Sequence, residues 1–236
     1  MLGLGSSLAL GGVTSEFNIL STSPDLWLQF NTGQTTPDLD RDGDNDIQWA
    51  DSSGNGNNAS STIDAKQGSF SDGAWSSADN LDHLVLDSNI TLADDYTIFI
   101  VFTVENTSDT FIGGPTTDDF MRFGQGNNAA SMRTKHSGNT TNFTFGTNPS
   151  TGKGMFKISR NADGDEFTVT QNSTTTLIDA ADVNGSNFVV NKIPAGAAGF
   201  ADDYLWEVVM YNRAVTAGES ALIEADILTR TSLTAD

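Results

Sequence analysis

The stretch PDLDRDGDNDIQWADSSGNGNNAS, residues 37–60, sets Asp38, Asp40, Asp42, Asp44 and Asp46 at alternate positions, with Gly43 among them. Alternate carboxylates in a tight turn converge on one hard cation, and glycine permits the bend; this is the first half of the D-x-D-x-D-G calcium loop. The five aspartates are therefore candidate Ca2+ ligands, and an ion there would staple a loop without taking part in a reaction. Two departures stand against the match. The twelfth position is Trp49 instead of a bidentate glutamate, and no helices are expected to flank the loop; Asp51 could supply the missing oxygens only if the chain folds back. A solvated acidic loop is the competing reading.

Other reactive constellations are scarce. With no cysteine, disulfides, thiolate catalysis and cysteine metal sites are excluded. His83 is expected to be a structural strand residue and His136 an exposed one, and neither belongs to a nucleophile–base motif. Retaining glycoside hydrolysis needs two carboxyls about 5–5.5 Å apart. Glu166 and Glu207 stand alone in their segments, and Asp163 and Asp165 fall in an expected turn. The chain reads as a non-enzyme. For binding, Trp75 and Tyr96 are the candidate exposed rings for a sugar, Trp49 and Trp206 read as core, and Glu207 could pair with Arg213.

These residues sit in a 236-residue chain with a formal net charge of −20, carried mostly by aspartate. Such a charge repels nucleic acid and anionic membranes, and no basic stripe offsets it. No apolar run approaches the 18 or so residues of a membrane-spanning helix. Glycine (23 residues), with abundant Asn, Ser, Thr and Asp, favours turns over helices. Short β-prone segments recur: LWLQF (26–30), HLVLD (83–87), NFTFG (142–146), MFKISR (155–160), EFTVTQ (166–171), TTLID (175–179) and NFVVNKI (187–193). YTIFIVFTV (96–104) is apolar on both faces and predicts a central strand covered twice. ADGD (162–165) and VNGSN (183–187) read as turns. Thr216 and Glu219 fit a capping box, after which Leu222, Ile223, Ile227 and Leu228 recur at helical spacing. The expectation is an all-β sandwich of two antiparallel sheets with one short C-terminal helix.

Residues 1–22 read as an extended N-terminal arm, with Met1, Leu2, Leu4, Leu8 and Leu10 as its docking contacts, held by a sister subunit or a larger assembly; a tail folded back on its own domain is the competing reading. The opening MLGLGSSLALGG lacks a basic n-region, and its apolar run is broken by Gly3, Gly5, Ser6 and Ser7, so an uncleaved arm is expected instead of a signal peptide.

Four segments fall in a familiar order: LWLQF (26–30), WADSSGNGNNAS (49–60), YTIFIVFTV (96–104) and WEVVMYNRAVTAGESALIEADIL (206–228). Together they resemble the concanavalin A-like lectin/glucanase superfamily in its laminin G-like branch, over most of residues 24–230. The resemblance implies a jelly roll over residues 23–236. The glucanase branch uses a Glu-x-Asp-x-x-Glu strand, which this chain lacks. The arm followed by such a domain resembles structural proteins of tailed marine bacteriophages. That implies a capsid decoration or tail-appendage subunit, oligomeric, meeting other virion proteins and assembled in the host cytoplasm. The alternative is an extracellular, calcium-assisted carbohydrate-binding module that meets a host-surface glycan.

Overall fold

A computed structural model describes residues 17–77, 82–104, 110–124, 131–162, 165–181, 183, 187–194 and 204–233. Its strands in chain order begin with β1 (Leu26–Leu28), β2 (Gln34–Thr35), β3 (Ile47–Trp49), β4 (Ala59–Ser61), β5 (Ser69–Ser71), β6 (Ala74–Ser76), β7 (Leu84–Leu92) and β8 (Tyr96–Val104). They continue with β9 (Thr110–Gly113), β10 (Phe120–Phe123), β11 (Ser131–His136), β12 (Asn139–Thr144), β13 (Gly152–Asn161), β14 (Glu166–Gln171), β15 (Thr175–Ala180), β16 (Phe188–Ile193) and β17 (Tyr204–Tyr211). One helix follows, α1 (Ala217–Arg230).

The first sheet runs β15-β14-β13-β8-β17-β6-β5, with β1 also paired to β17; the second runs β12-β11-β10-β9-β16-β7-β4-β3-β2. The strand pairings are antiparallel. The fold is the expected one: nearly all-β, two antiparallel sheets and a single short C-terminal helix. Alternating side chains from both sheets fill the space between them, as strand geometry requires. Phenylalanines dominate that core, with Phe102 about 5 Å from Phe111 (5.0 Å) and Phe156 (4.9 Å) between ring centres.

Strand β8 meets both of its expected covers. Tyr96, Ile98, Ile100, Phe102 and Val104 face the second sheet. Phe99 and Val101 face the other way, into a second cluster with Ile223, Ile227 and Leu228 of α1 and with Ile19. The second cover is thus the chain's own helix. Phe17 and Ile19 join it, and Thr22 is tied to the strand end beside it. Ile19 is fully buried, Thr22 shares a 2.7 Å hydrogen bond with the Tyr211 hydroxyl, and Arg213 Nη2 donates to the Thr22 carbonyl at 3.0 Å. Met1, Leu2, Leu4, Leu8 and Leu10 lie outside the described residues.

The helix start follows its sequence signature. Glu219 N–H donates to Thr216 Oγ1 (3.2 Å), and Thr216 N–H donates to Glu219 Oε2 (2.8 Å). Arg213 completes the arrangement with two hydrogen bonds to the Glu219 carboxylate, at 3.0 and 2.8 Å. Glu207, the expected partner of Arg213, instead faces the helix. It is fully buried, accepts from Trp27 Nε1 (2.8 Å) and pairs with Arg230, which also pairs with Asp226 and lies over the Trp27 ring. The reason is register: α1 returns across the sheet and brings its last turn over the middle of β17. Burial pushes the Glu207 carboxyl up, and the Arg230 charge opposes that push only in part.

Two measurements check this reading. Removing one partner of a buried ion pair strands a charge, so Arg230→Ala should cost about 3–5 kcal/mol in urea denaturation, whereas the double change Glu207→Leu with Arg230→Met should recover most of that loss. Glu219 is held down to about 2, first by the Arg213 hydrogen bonds and then by the Thr216 N–H. A depressed carboxyl contributes stability above its ordinary value of 4.5 and loses it as pH falls towards the folded value. The advantage of the wild type over Glu219→Gln should therefore shrink steadily from pH 5 to pH 3.

Candidate functional site

The acidic loop joins β2 to β3. It brings Asp38, Asp40 and Asp42 into one group and Asp42, Asp44 and Asp64 into another, with one carboxylate oxygen per residue within 4.8 Å of the others in each group. All five of these residues are exposed. An all-oxygen, all-anionic donor set is the kind a hard divalent cation takes. Asp64, on the 3-10 turn Asp64–Lys66, is a member that spacing within residues 38–46 could not reveal. Asp46 sits apart from both groups. It is only 2% exposed, and its Oδ2 accepts from the N–H groups of Leu39 (2.5 Å) and Asp40 (3.3 Å), so it ties the loop's base. Desolvation in the crowded loop, then the Asp42 and Asp46 charges, hold the Asp40 carboxyl above its ordinary value against a lowering hydrogen bond from the Asp42 backbone. Desolvation, then the Asp44 and Asp42 charges, do the same for Asp64.

Asp51 does not join them. Its carboxylate accepts from the N–H groups of Trp27 (3.0 Å), Ser53 (2.9 Å) and Asn57 (3.0 Å) and from the Ser53 hydroxyl (2.8 Å). It organises the turn in which Gly54 (φ 89°) and Gly56 (φ 76°) adopt the left-handed backbone that glycine allows.

Both candidate sugar rings are buried. Trp75 lies in the inter-sheet core with its Nε1 donating to the Gln67 carbonyl (2.9 Å). Tyr96 lies there too, its hydroxyl 3.3 Å from Nε2 of His136, which is itself fully buried and not exposed as expected. Each is on the inward side of its strand, and neither offers a face to solvent. Trp49 is core, as expected, while Trp206 is half-buried on the outer face, stacked with Tyr204 at 5.5 Å and capped by the Lys153 ammonium at 4.6 Å.

A pocket of about 250 Å3 opens instead on the second sheet. Its lining includes Thr110 and Gly113 of β9, Phe120 and Arg122 of β10, Lys192 of β16 and Asp119. Phe120 and Arg122 alternate with the core residues Met121 and Phe123, so they face outward. The small residues of β9 leave a depression, and the flanking strands wall it. Arg122 pairs with Thr110 on one side, and Lys192 pairs with Gly113 on the other. Both cations sit at register shifts, between Met121 and Arg122 and between Val190 and Lys192; such irregularities re-aim side chains.

The rim is held rigidly. Gly114 N–H donates to the Asp119 carbonyl (2.8 Å), Asp119 Oδ1 accepts from Ser137 N–H (2.9 Å), and Lys135 Nζ reaches the Thr117 carbonyl (2.8 Å). Gly114 passes so close to β16 that a Cβ would lie 2.9 Å from the Val189 carbonyl oxygen. Arg122 lies 5.5 Å from the Phe120 ring centre. Its Nε is sealed from solvent without a hydrogen bond, and desolvation, followed by the Arg133 charge, lowers its pKa. Sequence reasoning missed the pocket, although the alternation in FMRF (120–123) was a usable signal.

No protein-family model and no curated protein sequence matches this chain. Solved structures do share its fold. The botulinum neurotoxin serotype D ligand-binding domain, solved with N-acetylneuraminic acid, superposes at a TM-score of 0.58 with 8% identity, over 90% of this chain and 54% of that one. The receptor-binding domain of the botulinum neurotoxin C/D mosaic serotype does so at 0.58 with 9% identity, over 89% and 52%. The Trypanosoma rangeli sialidase in complex with sialic acid does so at 0.55 with 10% identity, over 90% and 34%. The chain thus spans about half the length of the toxin domains and a third of the sialidase. At such identities the likeness is one of fold.

The acidic loop has a direct test. With Ca2+ bound, titration into chelator-treated protein should raise the Tm, and Asp42→Asn, which alters the residue common to both carboxylate groups, should abolish the response. In chelator the same variant should melt above the wild type, because one of several crowded like charges is gone. A Tm indifferent to saturating Ca2+ would leave a solvated acidic loop.

Proposed function

We propose that this chain is a non-catalytic, glycan-binding β-sandwich and that the pocket across β9, β10 and β16 is its binding site. The observation that carries the reading is the composition of that pocket. It combines an aromatic ring, threonine hydroxyls, a carboxylate and two cations in a preformed depression on a rigid sheet, the mix of apolar surface and a few fixed polar groups that orients a small polar ligand. At about 250 Å3 it suits one sugar ring with the remainder of a chain outside.

Glu207 and Glu224 have structural tasks elsewhere. Glu207 pairs with Arg230, and Glu224 pairs with Lys157 at 3.0 Å and accepts from the Ser220 hydroxyl at 2.6 Å. The neighbours whose structures contain N-acetylneuraminic acid or sialic acid support a glycan ligand by analogy of fold. A virion-subunit role draws on the arm at residues 1–22, of which residues 1–16 lie outside the described residues, and gains no support from the pocket.

The test is a glycan array probed with the full chain. Reproducible binding of a saccharide set is expected, and Phe120→Ala should remove most of it while leaving the Tm within a degree or two, since the ring is on the outer face. Binding that survives Phe120→Ala unchanged, or no binding to any saccharide, would refute the pocket as a glycan site.

A further inference from the structure

Arg122 and Lys192 come from strands on opposite sides of β9 and line the same pocket. In a chain with 31 acidic and 11 basic residues, a cation has carboxylates available in excess. Other cations take them: Lys135 with Asp118, Lys157 with Glu224, Arg213 with Glu219, and Arg230 with Glu207 and Asp226. Arg122 and Lys192 make no ion pair or side-chain hydrogen bond among the described residues. Asp119 lines the same pocket, but its Oδ1 is held by Ser137 N–H and it forms no salt bridge with either cation. Arg133, across the ladder from Arg122, adds like charge and spends its Nε on Asn142 Oδ1 at 2.7 Å.

A partly desolvated guanidinium without a counter-charge is costly, and an anion that enters beside it removes that cost. The lining sets two cations against one carboxylate, and Arg133 beside Arg122 adds positive charge, a balance that suits an anion. Guanidinium is planar and pairs best with a planar, two-oxygen acceptor. Phe120, the threonine hydroxyls and Asp119 then face the uncharged remainder of the ligand, the carboxylate accepting from hydroxyl groups.

We propose, building on the glycan reading, that the pocket recognises a carboxylate-bearing sugar residue, with Arg122 and Lys192 holding the carboxylate and Asp119 and Phe120 contacting the ring. Specificity for acidic over neutral sugars comes from those two cations, and affinity falls with added salt because the attraction is electrostatic.

The test uses the full chain in calorimetric titrations with a carboxylated, a sulfated and a neutral saccharide chosen from one array, with sodium acetate as the free-anion control. The carboxylated saccharide should bind best. Arg122→Gln and Lys192→Gln should each weaken it about 10- to 100-fold, the span of one charge-assisted hydrogen bond, while Arg122→Lys should retain part of the affinity. Neutral saccharide bound equally well, or a sulfated one bound better, overturns the carboxylate assignment and leaves glycan binding standing. Acetate that competes as well as the saccharide overturns it in favour of a bare anion site. If no saccharide binds at all, both readings fall together. Circular-dichroism melts of the variants separate lost binding from lost folding.

Discussion

Strand β8, Tyr96–Val104, carries apolar side chains on both faces and so requires a cover on each. The second sheet supplies one and α1 supplies the other, and most of the remaining structure follows from that demand. Laying α1 over the first sheet places its last turn above β17, where Glu207 is already buried. Arg230 must then arrive as its partner, braced by Asp226 and the Trp27 ring. The same cover recruits Ile19 and fixes where the chain enters the domain. The first sheet's middle is thus closed to ligands by its own helix, and the second sheet keeps its outer face around β9 open.

Charge explains where recognition can occur. An acid-rich chain meets its own cations readily, and among the described residues Lys135, Lys157, Arg213 and Arg230 are held in ion pairs that set the rim of the pocket, the helix and the helix start. Register shifts turn Arg122 and Lys192 towards a depression floored by Thr110 and Gly113, where no side-chain carboxylate among the described residues pairs with them.

The fold was legible because its long strands advertise themselves: YTIFIVFTV and EFTVTQ match β8 and β14 residue for residue, and the capping box at Thr216 marks α1. The sites were less so. Aromatic type alone cannot tell an inward from an outward ring, so Trp75 and Tyr96 looked available while Phe120 drew no notice. The four-residue strands β9 and β10 are too short for periodicity to register. Asp46 and Asp64 show the same limit: local spacing groups the first with its neighbours, whereas only the fold shows the first turning inward and the second joining from another turn. Glu207 and Arg213 are only six residues apart, but each pairs with an opposite end of α1, Glu207 with Arg230 and Arg213 with Glu219.

The claim at the centre of this account is that an acidic sugar's carboxylate becomes the missing counter-charge of Arg122. Nuclear magnetic resonance on 15N-labelled full chain, titrated with a carboxylated oligosaccharide, follows the Arg122 Nε–H signal and the backbone amides together. A saturable shift of that signal is expected, along with the amides of Gly113, Gly114, Thr116 and Phe120. Saturable shifts confined to the Tyr204–Trp206 stack or the acidic loop, with Arg122 unmoved, would contradict it.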